Sequence, residues 1–207
     1  MQQKTITEQH RKTYQDAINQ HNNGLHAMHW PFYKPAARRY KELLVDIELE
    51  KRSILDVGCG LGNLLPYIAS KSNNFTYHGI DIMPEFIAQA QASYPEFNFS
   101  VADFWSDDFQ EKADIVLTSG TLNFAILDIE QRKKMIKKLF DQSNSATVFN
   151  MSGQHPVSKD ISSKGLIRYV DALEIFNYCF SLTKKIVFRH HYHKYDFTIA
   201  MFHQKRK

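Results

Sequence analysis

Ser53-Ile54-Leu55-Asp56-Val57-Gly58-Cys59-Gly60-Leu61-Gly62-Asn63-Leu64-Leu65 decides the fold. Ile54, Leu55 and Val57 form a short apolar run, as in a strand buried on both faces of a parallel sheet. Glycines at 58, 60 and 62 then alternate with other residues. Glycine accepts positive φ and has no side chain, so the backbone can turn sharply and come close to a ligand. Leu64, Leu65 and Ile68 recur at near-helical spacing, so the loop opens into a helix. Strand, glycine loop and helix make the front half of a βαβ unit of the nucleotide-binding kind.

Downstream the chain keeps alternating. Strands are expected at 53–57, 75–80, 97–101, 113–118 and 146–151, and helices at 62–71, 84–94, from Asp128 through Phe140, and at 170–179. Pro84 suits a first helical turn. Five such repeats imply an α/β fold, a parallel sheet with helices on both faces. Two last strands, 182–191 and 195–203, are joined only by His193-Lys194, so the final strand runs antiparallel. Upstream, residues 5–21 read as an amphipathic helix with capping-box spacing in Thr5-Ile6-Thr7-Glu8. Asn22-Asn23-Gly24 ends it, and a second helix covers 35–48. The aromatic run Trp30-Pro31-Phe32-Tyr33 lies between them. There is no internal repeat, so 1–207 reads as one domain, with a core at 51–207 and an N-terminal helical extension at 1–50 that covers the ligand.

The glycine spacing narrows the ligand. The dinucleotide fingerprint is G-x-G-x-x-G, and Asn63 stands where its third glycine belongs. Asp56-Val57-Gly58-Cys59-Gly60-Leu61-Gly62 follows D-x-G-x-G-x-G instead. It resembles motif I of the class I S-adenosylmethionine-dependent methyltransferases at every defining position. The likeness extends over about 50–203. It implies a Rossmann-like, doubly wound, seven-stranded sheet, mostly parallel with an antiparallel last strand, and S-adenosyl-L-methionine as cofactor. Asp56, expected to point into the crevice, would bind the cofactor's ammonium directly or through water. Gly58, Cys59, Gly60 and Gly62 would let the backbone approach.

In open α/β sheets the ligand sits at the carboxyl ends of the strands, where strand order reverses. Asp81 ends the second strand 25 positions after Asp56, close to the spacing at which an acid binds a ribose diol. The resemblance implies the same role, with Ile82 and Met83 against the adenine. It also implies that Asp103, ending the third strand, accepts from the adenine amino group, and that the Phe104 amide meets a ring nitrogen. Ser119, after the fourth strand, falls on the cofactor side. Asn123, Trp30, Tyr33 and Arg38 are candidates for the acceptor. After the fourth strand there is no Asn-Pro-Pro-Tyr or Asp-Pro-Pro-Tyr, no Pro-Cys pair and no paired-glutamate loop. Those absences argue against base-amino, cytosine-C5 and arginine methylation.

The length of 207 residues suits one domain with a sizeable core, and 43% hydrophobic with 23% charged residues is globular composition. No apolar run approaches the ~18 residues of a membrane span. The N-terminus lacks the apolar segment of a signal peptide. A cytoplasmic location is therefore expected, and the two cysteines, Cys59 and Cys179, fit it. No metal site is expected. The net charge of +4 is uneven, with seven Lys/Arg between 184 and 207 against one acid, Asp196. Among the histidines, His155 follows the fifth strand at the crevice end and is the candidate general base. His190 and His191, consecutive in a strand, read as surface, and His193 lies near the last turn.

The expectation is methyl transfer to an oxygen or nitrogen of a small-molecule acceptor, with no membrane partner and no nucleic acid. Its rivals are an RNA methyltransferase using the basic C-terminal strands, an NAD-dependent reductase, and a cofactor-binding regulator without catalysis.

Overall fold

The computed structural model describes residues 2–21, 33–157 and 167–204. In chain order, α1 (Gln2–His21) and α2 (Tyr33–Leu43) precede β1 (Arg52–Val57), α3 (Leu65–Ala69), β2 (Phe75–Asp81), α4 (Pro84–Ser93) and β3 (Asn98–Val101). Then follow β4 (Ala113–Ser119), a 3-10 turn (Thr121–Asn123), α5 (Ile129–Gln142) and β5 (Ser143–Gln154). The chain closes with β6 (Val170–Asp171), α6 (Ala172–Leu182), β7 (Ile186–His193) and β8 (Asp196–Phe202).

The seven expected strands form one sheet in the order β3-β2-β1-β4-β5-β8-β7, and the two-residue β6 adds an eighth against the end of β5. β1 to β5 are parallel, and β8 runs antiparallel between β5 and β7. Strand order reverses between β1 and β4, which fixes the ligand crevice at their carboxyl ends. The β7–β8 hairpin turns at the same end, because β7 points the way β5 does.

The central strands β1, β4, β5 and β8 are buried on both faces, so their side chains alternate between two cores. Leu55, Val116, Phe149 and Ile199 pack with Met135, Ile136 and Leu139 of α5 and Ile175 of α6. Ile54, Ile115, Val148 and Ala200 pack with Ala36, Tyr40 and Leu43 of α2 and Leu65 and Ile68 of α3. Asp128 caps α5 as its sequence suggests, with Gln131 completing the capping box.

Several boundaries differ from the sequence reading. α1 already runs at Thr5, and Thr7 bonds Asp103 at 2.8 Å instead of taking part in a cap. α2 stops at Leu43, and the first βα turn occupies Gly62–Leu64 before a short α3. α6 extends to Leu182, so β7 starts at Ile186 and runs to His193. β5 continues to Gln154. Among the described residues no helix is long and apolar enough to cross a membrane.

Candidate active site

A cavity of about 310 Å³ opens at the carboxyl ends of the strands. Its floor is Val57, Gly58, Cys59 and Gly60 after β1, with Ile80, Asp81 and Ile82 at the end of β2. Ala102, Phe104 and Trp105 close the β3 side, and Ser119, Gly120, Thr121, Asn123 and Phe124 the β4 side. α1 contributes His10 and Tyr14, α2 Arg39 and Tyr40, and the β7–β8 hairpin His193 and Asp196.

The glycine loop is built for close approach. Gly58 has φ +71°, and a Cβ there would sit 2.2 Å from Thr121 Oγ1. Any side chain at 58 would therefore be strained and would push apart the two strands at the switch point. Asp81 ties the loop down: its carboxylate accepts from Gly60 N at 3.0 Å and from Met83 N at 2.9 Å. Burial pushes the Asp81 carboxyl up to about 6, against the pull of those backbone donors. Cys59 is buried, and burial together with Asp56 and Asp81 pushes its thiol well up. It is thus a neutral wall residue at physiological pH, not a nucleophile.

Asp56 is the first correction. Its carboxylate does not line the cavity but accepts from the Tyr77 hydroxyl at 2.8 Å. At 2% exposure, burial pushes it up to about 7, with the Tyr77 bond pulling down and Asp81 pushing further up. An acid that holds its proton more tightly folded than unfolded (ordinary value 3.8) loses stability as pH rises from about 4 through about 7. Asp56→Asn keeps an acceptor for Tyr77 and lacks that ionisation. It is expected to melt higher than the parent at pH 8, by on the order of 3 kcal/mol, with the gap closing toward pH 4. Melting curves across that range check this, and equal gaps at both ends would count against it.

Of the other expected cofactor residues, Gly58, Cys59, Gly60, Asp81, Ile82, Phe104 and Ser119 line the cavity, as does the acceptor candidate Asn123. Met83 is 1% exposed and turns inward beside Phe86. Gly62 sits off the cavity against Tyr94 and Phe99. Asp103 also lies off the wall, because its two oxygens are taken by Thr7 Oγ1 and Trp105 N. Arg38 donates to the Tyr192 carbonyl at 2.6 Å, and its neighbour Arg39 faces the cavity instead. His155 is carried past the crevice by the longer β5; its side chain is half exposed and pairs with Asp171 at 2.9 Å. Trp30 and the side chain of Tyr33 lie outside the described residues.

Three features of the site were missed by sequence reasoning. Arg39 makes a two-pronged bond to buried Asp196, at 2.8 and 2.7 Å. The alternation of Ala36, Tyr40 and Leu43 on α2 marks the buried stripe that Arg39 adjoins, and that stripe was the available signal. His10, 5% exposed and tilted against Phe124 at 4.2 Å between centroids, presents an Nε2 with no partner among the described residues. Burial lowers its pKa to about 4, so it is neutral near pH 7. Third, fully buried Arg132 holds the loop behind Asn123 and Phe124. It donates to the carbonyls of Leu122 at 2.8 Å, Phe124 at 2.6 Å and Leu127.

The residues on this wall suit S-adenosylmethionine. Asp81 has acceptor capacity beyond its two backbone bonds, the loop at Gly58 has no space for a Cβ, and His10 has an unused ring nitrogen.

Comparison with known proteins agrees. Residues 54–143 match a family described as a methyltransferase domain. Rv1506c of Mycobacterium tuberculosis, which carries the name of a methyltransferase, is 29% identical over 154 residues, 72% of this chain and 92% of its own. The trans-aconitate 2-methyltransferase of Delftia acidovorans is 27% identical over 154 residues, and the chain spans only 55% of that relative's length. In fold, the chain is similar to magnesium protoporphyrin IX methyltransferase from Synechocystis, solved with bound SAH. The TM-score is 0.69 at 14% identity, covering 97% of this chain and 99% of that one. Motif, strand order and the match over residues 54–143 together support a class I S-adenosylmethionine-dependent methyltransferase.

Proposed function

We propose that this chain methylates an oxygen or nitrogen of a small molecule in one in-line displacement. One observation carries the reading: a single cavity joins the glycine loop and Asp81 to Arg39, His193 and Asp196 on the hairpin side. The first end suits the cofactor and the second an acceptor. When bound, the cofactor supplies a sulfonium methyl. Asp81 would hold the ribose hydroxyls, and the backbone at Gly58 and Gly60 would let the methionyl part lie close. Cavity walls from α1, α2 and the hairpin would keep water from the reacting centre and hold the nucleophile in line, which supplies much of such a rate.

The N-terminal extension, 1–50, fits a cover in a single domain. α1 is pinned by Thr7 to Asp103 and by the tilted contact of His10 with Phe124, and Tyr14 meets Phe86 edge-on at 5.5 Å. A small-molecule acceptor is in keeping with the trans-aconitate named for one relative. The RNA rival loses part of its basic surface, since Arg189 pairs with Asp46. Turnover tests the reading: SAH should form from S-adenosylmethionine when a small-molecule extract is added. Methylation of RNA at physiological salt, with no product from small molecules, would reverse it.

A further inference from the structure

A second cavity, of about 470 Å³, lies toward the amino ends of β1, β2 and β4 and shares no lining residue with the first. Its walls include His78 of β2, Ser100 of β3 and Glu111 of the segment before β4. β2 and β3 pair in parallel, with His78 beside Asn98 and Ile80 beside Ser100. His78 and Ser100 are therefore diagonal neighbours on one face of the sheet, within reach of each other. Ser100 Oγ lies 2.7 Å from His78 Nε2, and His78 Nδ1 lies 2.7 Å from Glu111 Oε1. A carboxylate only accepts, so Nδ1 carries a proton and donates it to Glu111. In the neutral ring that leaves the lone pair of Nε2 to accept from the Ser100 hydroxyl. Nucleophile, base and orienting acid thus stand in order, each within hydrogen-bond reach of the next. The side chains of His78 and Glu111 are 26% and 37% exposed. Water can reach both, so no penalty for buried polar groups demands this arrangement.

We propose that Ser100 and His78, oriented by Glu111, form a second catalytic site that hydrolyses small carboxylic esters, independent of methyl transfer. Ser100 Oγ bonds to the carbonyl carbon while its proton passes to His78 Nε2. The carbonyl re-forms as the bond to the alcohol oxygen breaks, and the alcohol leaves with the proton from Nε2. Water then repeats the exchange on the acylated serine, releasing the acid and restoring Ser100. Glu111 holds the ring in the required tautomer and stabilises the imidazolium that forms in each half. Asn98, two residues before Ser100 on the same face of β3, also lines the cavity and offers a side-chain amide donor to the carbonyl oxygen. The site is partly open to water, which weakens each electrostatic contribution. That favours esters, whose alcohol leaves more readily than the amine of an amide. The volume is in the range of small-molecule sites.

Treatment of the full chain with a fluorophosphonate, followed by peptide mass spectrometry, tests the site with neither cofactor nor natural ester. The reagent loses fluoride as Ser100 Oγ bonds to phosphorus. The expected result is an adduct on Ser100 that is absent in Ser100→Ala and forms about 10²-fold more slowly in His78→Gln. Glu111→Gln should also slow the labelling, and Glu111→Asp should keep part of the rate. With p-nitrophenyl acetate, the parent should release nitrophenolate and carry a trapped acetyl group on Ser100. Ser100→Ala should lose that turnover while its melting point and SAH affinity match the parent's, since Ser100 lies off the first cavity. A folded parent without an adduct on Ser100, or labelling of Ser100 indifferent to His78→Gln, would overturn the proposal.

Discussion

Arg132→Met is expected to remove roughly 3–5 kcal/mol of stability, the largest loss of any single change considered, although the residue never touches the cavity. The arginine is fully buried on α5, and its guanidinium is shared among the carbonyls of Leu122, Phe124 and Leu127. Burial and Arg168 pull its pKa down to about 10, so it remains a cation at neutral pH. Those carbonyls belong to a loop that turns away from β4 without a ladder partner for most of its length. Methionine fills much of the same volume but donates nothing, so three buried acceptors lose their donor at once. The same loop carries Asn123, whose Oδ1 accepts from Ser152 N at 2.8 Å, and Phe124, whose ring packs against His10. Loosening it should therefore lower turnover as well. Urea unfolding reads the first effect as a shift in midpoint with little change in slope. A loss below about 1 kcal/mol would show that the carbonyls find other donors.

Asp81→Ala should weaken S-adenosylmethionine binding by roughly ten- to a hundredfold. Hydrogen bonds to a charged group are worth roughly 1.5–3 kcal/mol, and about 1.4 kcal/mol is a factor of ten. β2 runs through Asp81 itself, which places the carboxylate at the strand end under the glycine loop. Two roles are superposed there. One oxygen holds Gly60 N and the other holds Met83 N, at the start of α4. Asp81→Asn separates them: it keeps one acceptor for the loop but offers the ribose a weaker partner, so affinity should fall less than in the alanine variant. Calorimetric titration paired with a melting curve measures both. A melting point that drops while affinity holds would reduce Asp81 to a cap for α4.

The centre of the sheet was legible because buried parallel strands are short apolar runs between glycine or acidic punctuation, and β1 with Ile54-Leu55 and β4 with Ile115-Val116-Leu117 are of that form. The capping box at Asp128 was legible because both partners lie within four residues. The strand read at 182–191 is displaced by two to four residues, since Leu182 is as apolar at a helix end as at a strand start. That small error had a consequence. It put His193 in a link and hid its place opposite Asp196 across the hairpin. The error at His155 has the same origin, because a strand read as ending at Met151 seems to deliver His155 to the crevice, whereas β5 continues to Gln154 and carries it past. Arg38 and Arg39 differ by about 100° around α2, and composition alone does not choose between them. Asp103 was read as a ligand for adenine because nothing in the sequence showed Thr7 of α1 arriving on the same carboxylate.

The central claim is that the cavity between the glycine loop and Asp81 receives S-adenosylmethionine and not a dinucleotide. Parallel calorimetric titrations of the protein with SAH and with NAD test it most directly. SAH should bind one to one and NAD give no heat of binding, because the third glycine of the dinucleotide loop is replaced by Asn63. Saturable binding of NAD without binding of SAH would contradict it.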